Sequence, residues 1–433
     1  MKENTLIDKT SKYSSALAVL TSLFFMWGFI TCLNDIMIPH LKAAFELNYT
    51  KAMFIQLSFF TAYFIASLPS GRIVERWGYK TGIIIGLLTA AFGCFLFYPA
   101  AGTQSYAIFL IALFILASGI TLLQVAANPY VAILGKPENA SSRLSLAQAI
   151  NSFGHTTAPL FGSFLILSTV VKSPVELSLM KPADVESYRI AEASSVQIPY
   201  LILAGTLILI ALLVSFYRLP KINAAQSISS AEGGTNFDHL HASAWRYRHL
   251  VLGMIGIFLY VGAEVAIGSF LVNYISQPSI GAMSIAEAGR YLSFYWGSAM
   301  VGRFIGSAVM RYISPAKILT FNACAVIVLI LAAIFSTGHV SMIAILSVGL
   351  FNSIMFPTIF TLAIDGLGKH TGQASGILCM AIVGGAVIPV LQGMLADNFG
   401  IQLAFFLPVL CYGYVAFYGL KGHLPAFKKA AVS

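Results

Sequence analysis

Apolar stretches about twenty residues long recur twelve times along this chain, and that recurrence leaves few folds open to it. A bilayer core ~30 Å thick is crossed by about 20 apolar helical residues. A helix also satisfies its own backbone polar groups where no water is present. On that ruler the spans fall approximately at 17–41, 50–73, 80–99, 105–134, 144–170, 197–219, 248–275, 287–312, 316–337, 340–366, 372–396 and 400–420. Only 9% of the 433 residues are charged, against about 25% in soluble proteins, which is too little charge to cover a soluble surface. The first stretch continues past the length of a signal-peptide core with no small-residue cleavage site close behind it, so it is read as a retained span. The expected fold class is an all-α membrane protein of twelve transmembrane helices in two six-helix bundles.

Charge placement sets the orientation. The net charge of +9 would suit a nucleic-acid surface only if it were clustered, and it is not. With both termini inside, 19 Lys and Arg fall on the cytoplasmic side and 6 outside. That is the positive-inside pattern, and it excludes a nucleic-acid patch. Between the sixth and seventh spans, residues 221–246 are polar and rich in Ser, Ala and Gly, as a linker is. The expected division is therefore a bundle over 1–220, a cytoplasmic linker over 221–246 and a second bundle over 247–433. A second polar insert, roughly 172–196, separates spans five and six on the other side. The five cysteines all lie in apolar segments with no C-x-x-C pair and read as free buried thiols.

The halves echo one another. Setting Gly71 on Gly306 aligns Val74 with Val309, Arg76 with Arg311 and Trp77 with Tyr312, and further on Gly154 falls opposite Gly384. Two six-helix bundles joined by a cytoplasmic linker is a transporter plan, with substrate held between the halves near the midplane. The motif "GRIVERWGYKTG" places Gly71, Glu75, Arg76, Gly78 and Lys80 in the loop between spans two and three. It resembles the signature loop of the major facilitator superfamily. That resemblance implies a cytoplasmic gate built from Gly71, Glu75, Arg76, Gly78 and the corresponding Arg311.

Four further stretches, "FMWGFITCLNDIMIPHL", "LLQVAANPY", "RLSLAQAINSFG" and "FNSIMFPTIF", resemble the fucose–galactose–glucose symporter family of that superfamily. "YVGAEVAIGSFL" and "SIMFPTIF" are similar to its bacterial glucose/galactose transporter branch. The resemblance implies cation-coupled hexose uptake across a bacterial inner membrane, with Asp35 as the coupling carboxylate and Gln148 and Asn151 among the sugar contacts. The chain departs from the fucose–proton branch at Gln124, where that branch carries a glutamate. An amide cannot exchange a proton, but it can both donate and accept hydrogen bonds.

Asp35 interrupts the first apolar run, where a carboxylate costs about 2.5–3.5 kcal/mol. It is neutralised by a proton, by a basic partner or by a metal cation. No basic residue lies in the middle of spans one or four. Sodium is preferred over a proton because hard oxygens are at hand: Thr31, Asn34, Thr121, Gln124 and Asn128, with Pro129 freeing a helix carbonyl. Glu264, the other intramembrane carboxylate, reads as a hydrogen-bond acceptor for sugar hydroxyls, with coupling and helix bridging as alternatives. Asn273, Tyr295, Trp296 and Asn352 are candidates for the second wall of the sugar site, the aromatics alternatively being plain packing. His40 and His155 have no metal-site spacing. Signatures of soluble enzymes (G-x-S-x-G, H-E-x-x-H, the phosphate loop) are absent, so no enzyme is expected. No resident cofactor is expected either: the partners are a hexose, sodium or a proton, and the lipid bilayer, and the chain is read as a monomer. The rival functions are a proton-coupled fucose or N-acetylhexosamine symporter, a drug–proton antiporter on the same fold, and a membrane sensor. Buried amides disfavour the antiporter, and the short tails disfavour the sensor.

Overall fold

The computed structural model describes residues 17–31, 49–103, 105–165, 180–195, 197–217, 243–283 and 285–425. Among these residues the regular structure is helical throughout. The helices are α1 (Leu17–Thr31), α2 (Tyr49–Gly102), α3 (Tyr106–Ile133), α4 (Ala140–Leu165), α5 (Pro182–Ser195) and α6 (Gln197–Phe216). They continue as α7 (Arg248–Ile275), α8 (Ile285–Val309), α9 (Pro315–Phe335), α10 (Gly338–Asn352), α11 (Met355–Ile364), α12 (Thr371–Met380), α13 (Gly384–Phe399), α14 (Ile401–Ala404) and α15 (Phe406–Phe417). Each expected span has a counterpart in this order. The polar insert carries a helix of its own, α5.

Three expectations are corrected in detail. Spans two and three are the two limbs of α2, and the intervening motif is helical rather than a loop. Only Gly78 leaves the helix, at φ 82°, ψ 167°. No atom lies within 4 Å of where its Cβ would stand, so glycine is needed there for its backbone freedom and not for space. Gly71, Glu75, Arg76 and Lys80 therefore lie on helix. The span expected at 340–366 is broken after Asn352, because Pro357 has no N–H to give the Ser353 carbonyl four residues earlier. The span expected at 372–396 is interrupted by a 3-10 turn at Ala381–Val383.

Small residues bring the helices close, the usual device where lipid removes the hydrophobic drive between them. A Cβ on Gly93 would meet the Leu116 backbone, and one on Gly119 the Ala90 backbone, so α2 and α3 touch almost main chain to main chain. Phe97 stacks on Tyr200 of α6 at 3.9 Å between centroids, 11° from parallel. Lys80 Nζ donates to the Ser215 carbonyl at 2.7 Å.

The sequence echo has a structural counterpart. Gly154 of α4 meets the backbone of Phe25 in α1, and Gly384 of α13 meets the backbone of Phe258 in α7. Likewise Gly28 of α1 abuts the Asn151 carbonyl, and Gly262 of α7 abuts Gly384 and Ile388. A first helix and a fifth helix thus cross at paired glycines in each half.

Contacts divide the chain into two compact units, Met1–Ala127 with Ile150–Pro220 and Asn128–Ala149 with Lys221–Ser433. Within the second unit, Ser142 Oγ donates to the Ser307 carbonyl at 2.6 Å, and Ser307 Oγ returns a bond to the Ser142 carbonyl at 2.9 Å. Ser141 and Thr361 share a hydrogen bond of 2.5 Å.

Candidate functional site

Two clusters of buried polar groups stand out in an apolar chain. The first is a set of neutral groups carried along α3 and, separately, along α4. Thr121, Gln124 and Asn128 fall at spacings of three and four, which puts them on one face of α3; all three are buried. The Gln124 amide donates to the Tyr63 hydroxyl of α2. Thr121 gives its hydrogen to the Ala117 carbonyl at 2.8 Å, and Thr31 gives its own to the Trp27 carbonyl at 2.9 Å. A hydroxyl whose hydrogen is spent inside its own helix presents only lone pairs outward. Asn128 is wholly buried, and neither of its side-chain atoms finds a hydrogen-bond partner among the described residues. Asn151 and Gln148 are buried on α4, and Asn151 Nδ2 reaches the Phe24 carbonyl at 2.8 Å. Asn151 is thus partly committed to holding α1 against α4. Asn34 and Asp35 lie outside the described residues.

Arg143 organises the end of this region. Its guanidinium donates to the carbonyls of Val131 (3.3 Å), Ala132 (2.5 Å) and Lys136 (2.7 Å), and so caps the C-terminus of α3, whose last carbonyls have no helical partner. Gly135, at φ 114°, lets the chain turn back beneath it. Sequence reading counted Arg143 only as a cytoplasmic charge.

The second cluster gathers at the α10–α11 break. Three successive carbonyls lose their helical bonds there, and each is captured by a side chain from a different helix. Asn322 Nδ2 of α9 donates to the Phe351 carbonyl at 2.9 Å. The Tyr260 hydroxyl of α7 donates to that of Asn352 at 3.0 Å. Arg303 Nε of α8 donates to that of Ser353 at 3.1 Å. A buried carbonyl left bare costs about 1–3 kcal/mol, so the three captures make the break tolerable. Asn352 Nδ2 donates to the Tyr295 hydroxyl at 3.0 Å. Glu264 lies one helical turn after Tyr260 on the same face of α7 and feels the charge of Arg303. Glu264 Oε1 and Asn352 Oδ1 are buried without a hydrogen-bond partner among the described residues. Fully buried Tyr412 of α15 stands near Glu264, Tyr260 and Tyr295, and its hydroxyl has no hydrogen-bond partner among the described residues.

Of the candidates for this wall, the structure brings together Glu264, Tyr295 and Asn352. Trp296 packs edge-on to Tyr295 (5.1 Å, 76°) and covers Gly268, but its indole is 43% exposed. Asn273 is exposed, nine residues and so about 13 Å along α7 from Glu264, and stands apart from the cluster. Sequence reading missed Tyr260, whose position four residues before Glu264 was a usable signal. It also missed Arg303, a cation inside an expected span. Gln392 of α13 was missed as well; it is fully buried, and neither amide atom has a partner among the described residues. The gate candidates Glu75, Arg76 and Arg311 are exposed. Of the five cysteines, Cys94, Cys324, Cys379 and Cys411 are free thiols, with Cys324 exposed; Cys32 lies outside the described residues.

The model of the Major Facilitator Superfamily matches residues 17–382. The glucose/galactose transporter of Brucella abortus (strain 9-941) is 55% identical over 422 residues, covering 97% of each chain. The L-fucose-proton symporter of Escherichia coli (strain K12) is 36% identical, covering 94% of this chain and 93% of that one. These relatives are named as transporters and not as enzymes. The crystal structure of FucP in the outward conformation superposes with a TM-score of 0.85 at 36% identity, over 94% of this chain and 98% of that one. The shared helix order, the match over most of the sequence and these two levels of identity place the chain in the Major Facilitator Superfamily, within its fucose–galactose–glucose symporter family.

Proposed function

We propose that this protein is a cation-coupled symporter for a hexose of the glucose/galactose type, working by alternating access, with sodium preferred over a proton at Asp35. It sits in a bacterial inner membrane with both termini cytoplasmic, acts as a monomer and uses no resident cofactor. The observation that carries the reading is Asn128. A buried amide with no partner among the described residues is stable only if something polar reaches it, and a polyhydroxylated ligand offers donors and acceptors together. Gln124, Gln148 and Asn151 supply further amides. An apolar drug would satisfy none of them, which disfavours the antiporter. The names of the relatives support a sugar as substrate.

Sodium is favoured by the oxygens. Thr31 and Thr121 turn lone pairs outward, and Gln124 stands where the fucose–proton branch has a titratable acid. Asp35 and Asn34 complete the proposed shell. The runner-up is a proton-coupled fucose or N-acetylhexosamine symporter. Uptake of a labelled hexose panel into proteoliposomes, with sodium and proton gradients imposed separately, decides between them. Glucose or galactose accumulation driven by sodium is expected. A proton gradient that drives uptake equally well in sodium-free buffer would overturn the cation assignment. As an independent check on the sodium reading, Gln124→Glu should introduce a pH dependence of sugar binding at this position.

A further inference from the structure

Both halves contain the same amide–tyrosine pair. Gln124 of α3 and Asn352 of α10 each stand five residues before a proline, Pro129 and Pro357 respectively. Each amide nitrogen donates to a tyrosine hydroxyl on the second span of its own half. Gln124 Nε2 donates to Tyr63 of α2, and Asn352 Nδ2 donates to Tyr295 of α8 at 3.0 Å. With Gly71 set on Gly306, Tyr63 falls opposite Ser298, so Tyr295 lies three residues from the matching position, about one helical turn. The pairing recurs although the amide differs by a methylene and the tyrosine by a turn.

All four residues are buried, and each phenol is itself held in place. The Tyr63 ring packs on Phe59 at 5.3 Å between centroids, and the Tyr295 ring packs edge-on to Trp296 at 5.1 Å. Asn352 is also held at its main chain, where its carbonyl accepts from Tyr260 at 3.0 Å.

We infer that Tyr63 and Tyr295 are positioning residues for sugar selection: each ties an amide by its nitrogen and leaves the amide oxygen to accept a sugar hydroxyl. The inference rests on the hexose reading above. An amide has a donor end and an acceptor end. Untied, it turns to suit whichever group arrives and discriminates little. Tied by its nitrogen, it keeps its oxygen on the untied end, and a ligand group with no hydrogen to give leaves that oxygen bare. The Asn352 side-chain oxygen is buried without a partner among the described residues. Fixing the amide before the sugar arrives also removes its rotamer cost from binding. Gln124 has one more side-chain torsion to fix than Asn352, so Tyr63 contributes more than Tyr295.

Binding of glucose, galactose and their monofluorinated deoxy analogues to the purified full-length protein in detergent, at fixed sodium and pH, tests this. A C–F group takes the place of a hydroxyl but has no hydrogen to donate. The parent should bind at least one analogue about tenfold or more weakly than the sugar itself. Tyr63→Phe and Tyr295→Phe release their amides, so each should shrink the disadvantage of such an analogue to about threefold or less, with the larger effect in Tyr63→Phe. The sugar itself should lose about threefold at most, because a hydroxyl can answer either end of an amide. A tyrosine with a purely structural role would weaken sugar and analogue alike, so ratios unchanged in either variant overturn the inference for that half. Equal binding of every analogue by the parent overturns it in both halves, and needs no variant to fold. A parent that binds no hexose loses the hexose reading itself, whereas hexose binding with unchanged ratios in the variants loses only the positioning role.

Discussion

The two polar clusters are carried on the same packing device and filled with different chemistry. In the first half α1 and α4 cross at Gly28 and Gly154, and in the second α7 and α13 cross at Gly262 and Gly384. Beside the first crossing stand the buried amides Gln148 and Asn151 of α4, and Thr31 of α1, whose hydrogen is spent on the Trp27 carbonyl. Around the second the polar groups include a carboxyl, an arginine and three tyrosines, arranged at a helix break that the first half does not show in α3 or α4. The comparison teaches that helix crossing and chemistry are separable. Backbone contact at glycine fixes where helices meet, and the neighbouring faces remain open to specialise, one for neutral hydrogen bonding and the other for charge.

The largest effect that tests this division is at Asp35. Asp35→Asn should abolish concentrative uptake, leaving accumulation at the equilibrium level while sugar exchange persists. Wild-type accumulation in that variant would move coupling out of the first half altogether. Next come the crossings themselves. Gly154→Val and Gly384→Val each force a side chain onto backbone and should each destabilise by about 1–3 kcal/mol, read as a fall in thermal midpoint in detergent. If only one of the pair suffers, the two crossings are not equivalent. Asn322→Ala frees a single carbonyl at the break and should cost about 1 kcal/mol on the same assay, with the second half destabilised and the first indifferent. The smallest stability effect is expected at exposed Arg76. Arg76→Ala should stay within about 0.5 kcal/mol of the parent yet change turnover several-fold without altering sugar affinity. Lost affinity at normal turnover would remove it from the gate.

The helix order was legible because bilayer thickness imposes one length on every span. The glycine echo was legible because a helix crossing tolerates no side chain, so the constraint appears in the residue type itself. The breaks were harder to read. Pro357 announces a missing donor, but nothing local says that Asn322, Tyr260 and Arg303 will supply three replacements from three other helices. Arg303 misled for a related reason: a cation six residues before the end of α8 looks like a loop charge until its partner, the Ser353 carbonyl 50 residues away, is seen. Of the first cluster, the α3 face was readable from its spacing. That Asn151 is half committed to the Phe24 carbonyl was not, because the amide types that bind sugars are also the types that clamp helices.

The crossing of α1 with α4 also sets a schedule for making the protein. Asn151 and the Phe24 carbonyl are 127 residues apart in the chain, and ribosomes add about 5–20 residues per second. For roughly 6–25 s at that rate, α1 is complete while its partner is still unsynthesised, and the flat surface around Gly28 has only lipid or the insertion machinery to lie against. The second half repeats the delay, since Gly262 must wait for Gly384. Each bundle is therefore closed late, by its fifth helix, and a ribosome stalled before residue 151 would leave α1 in the membrane without the neighbour that holds it.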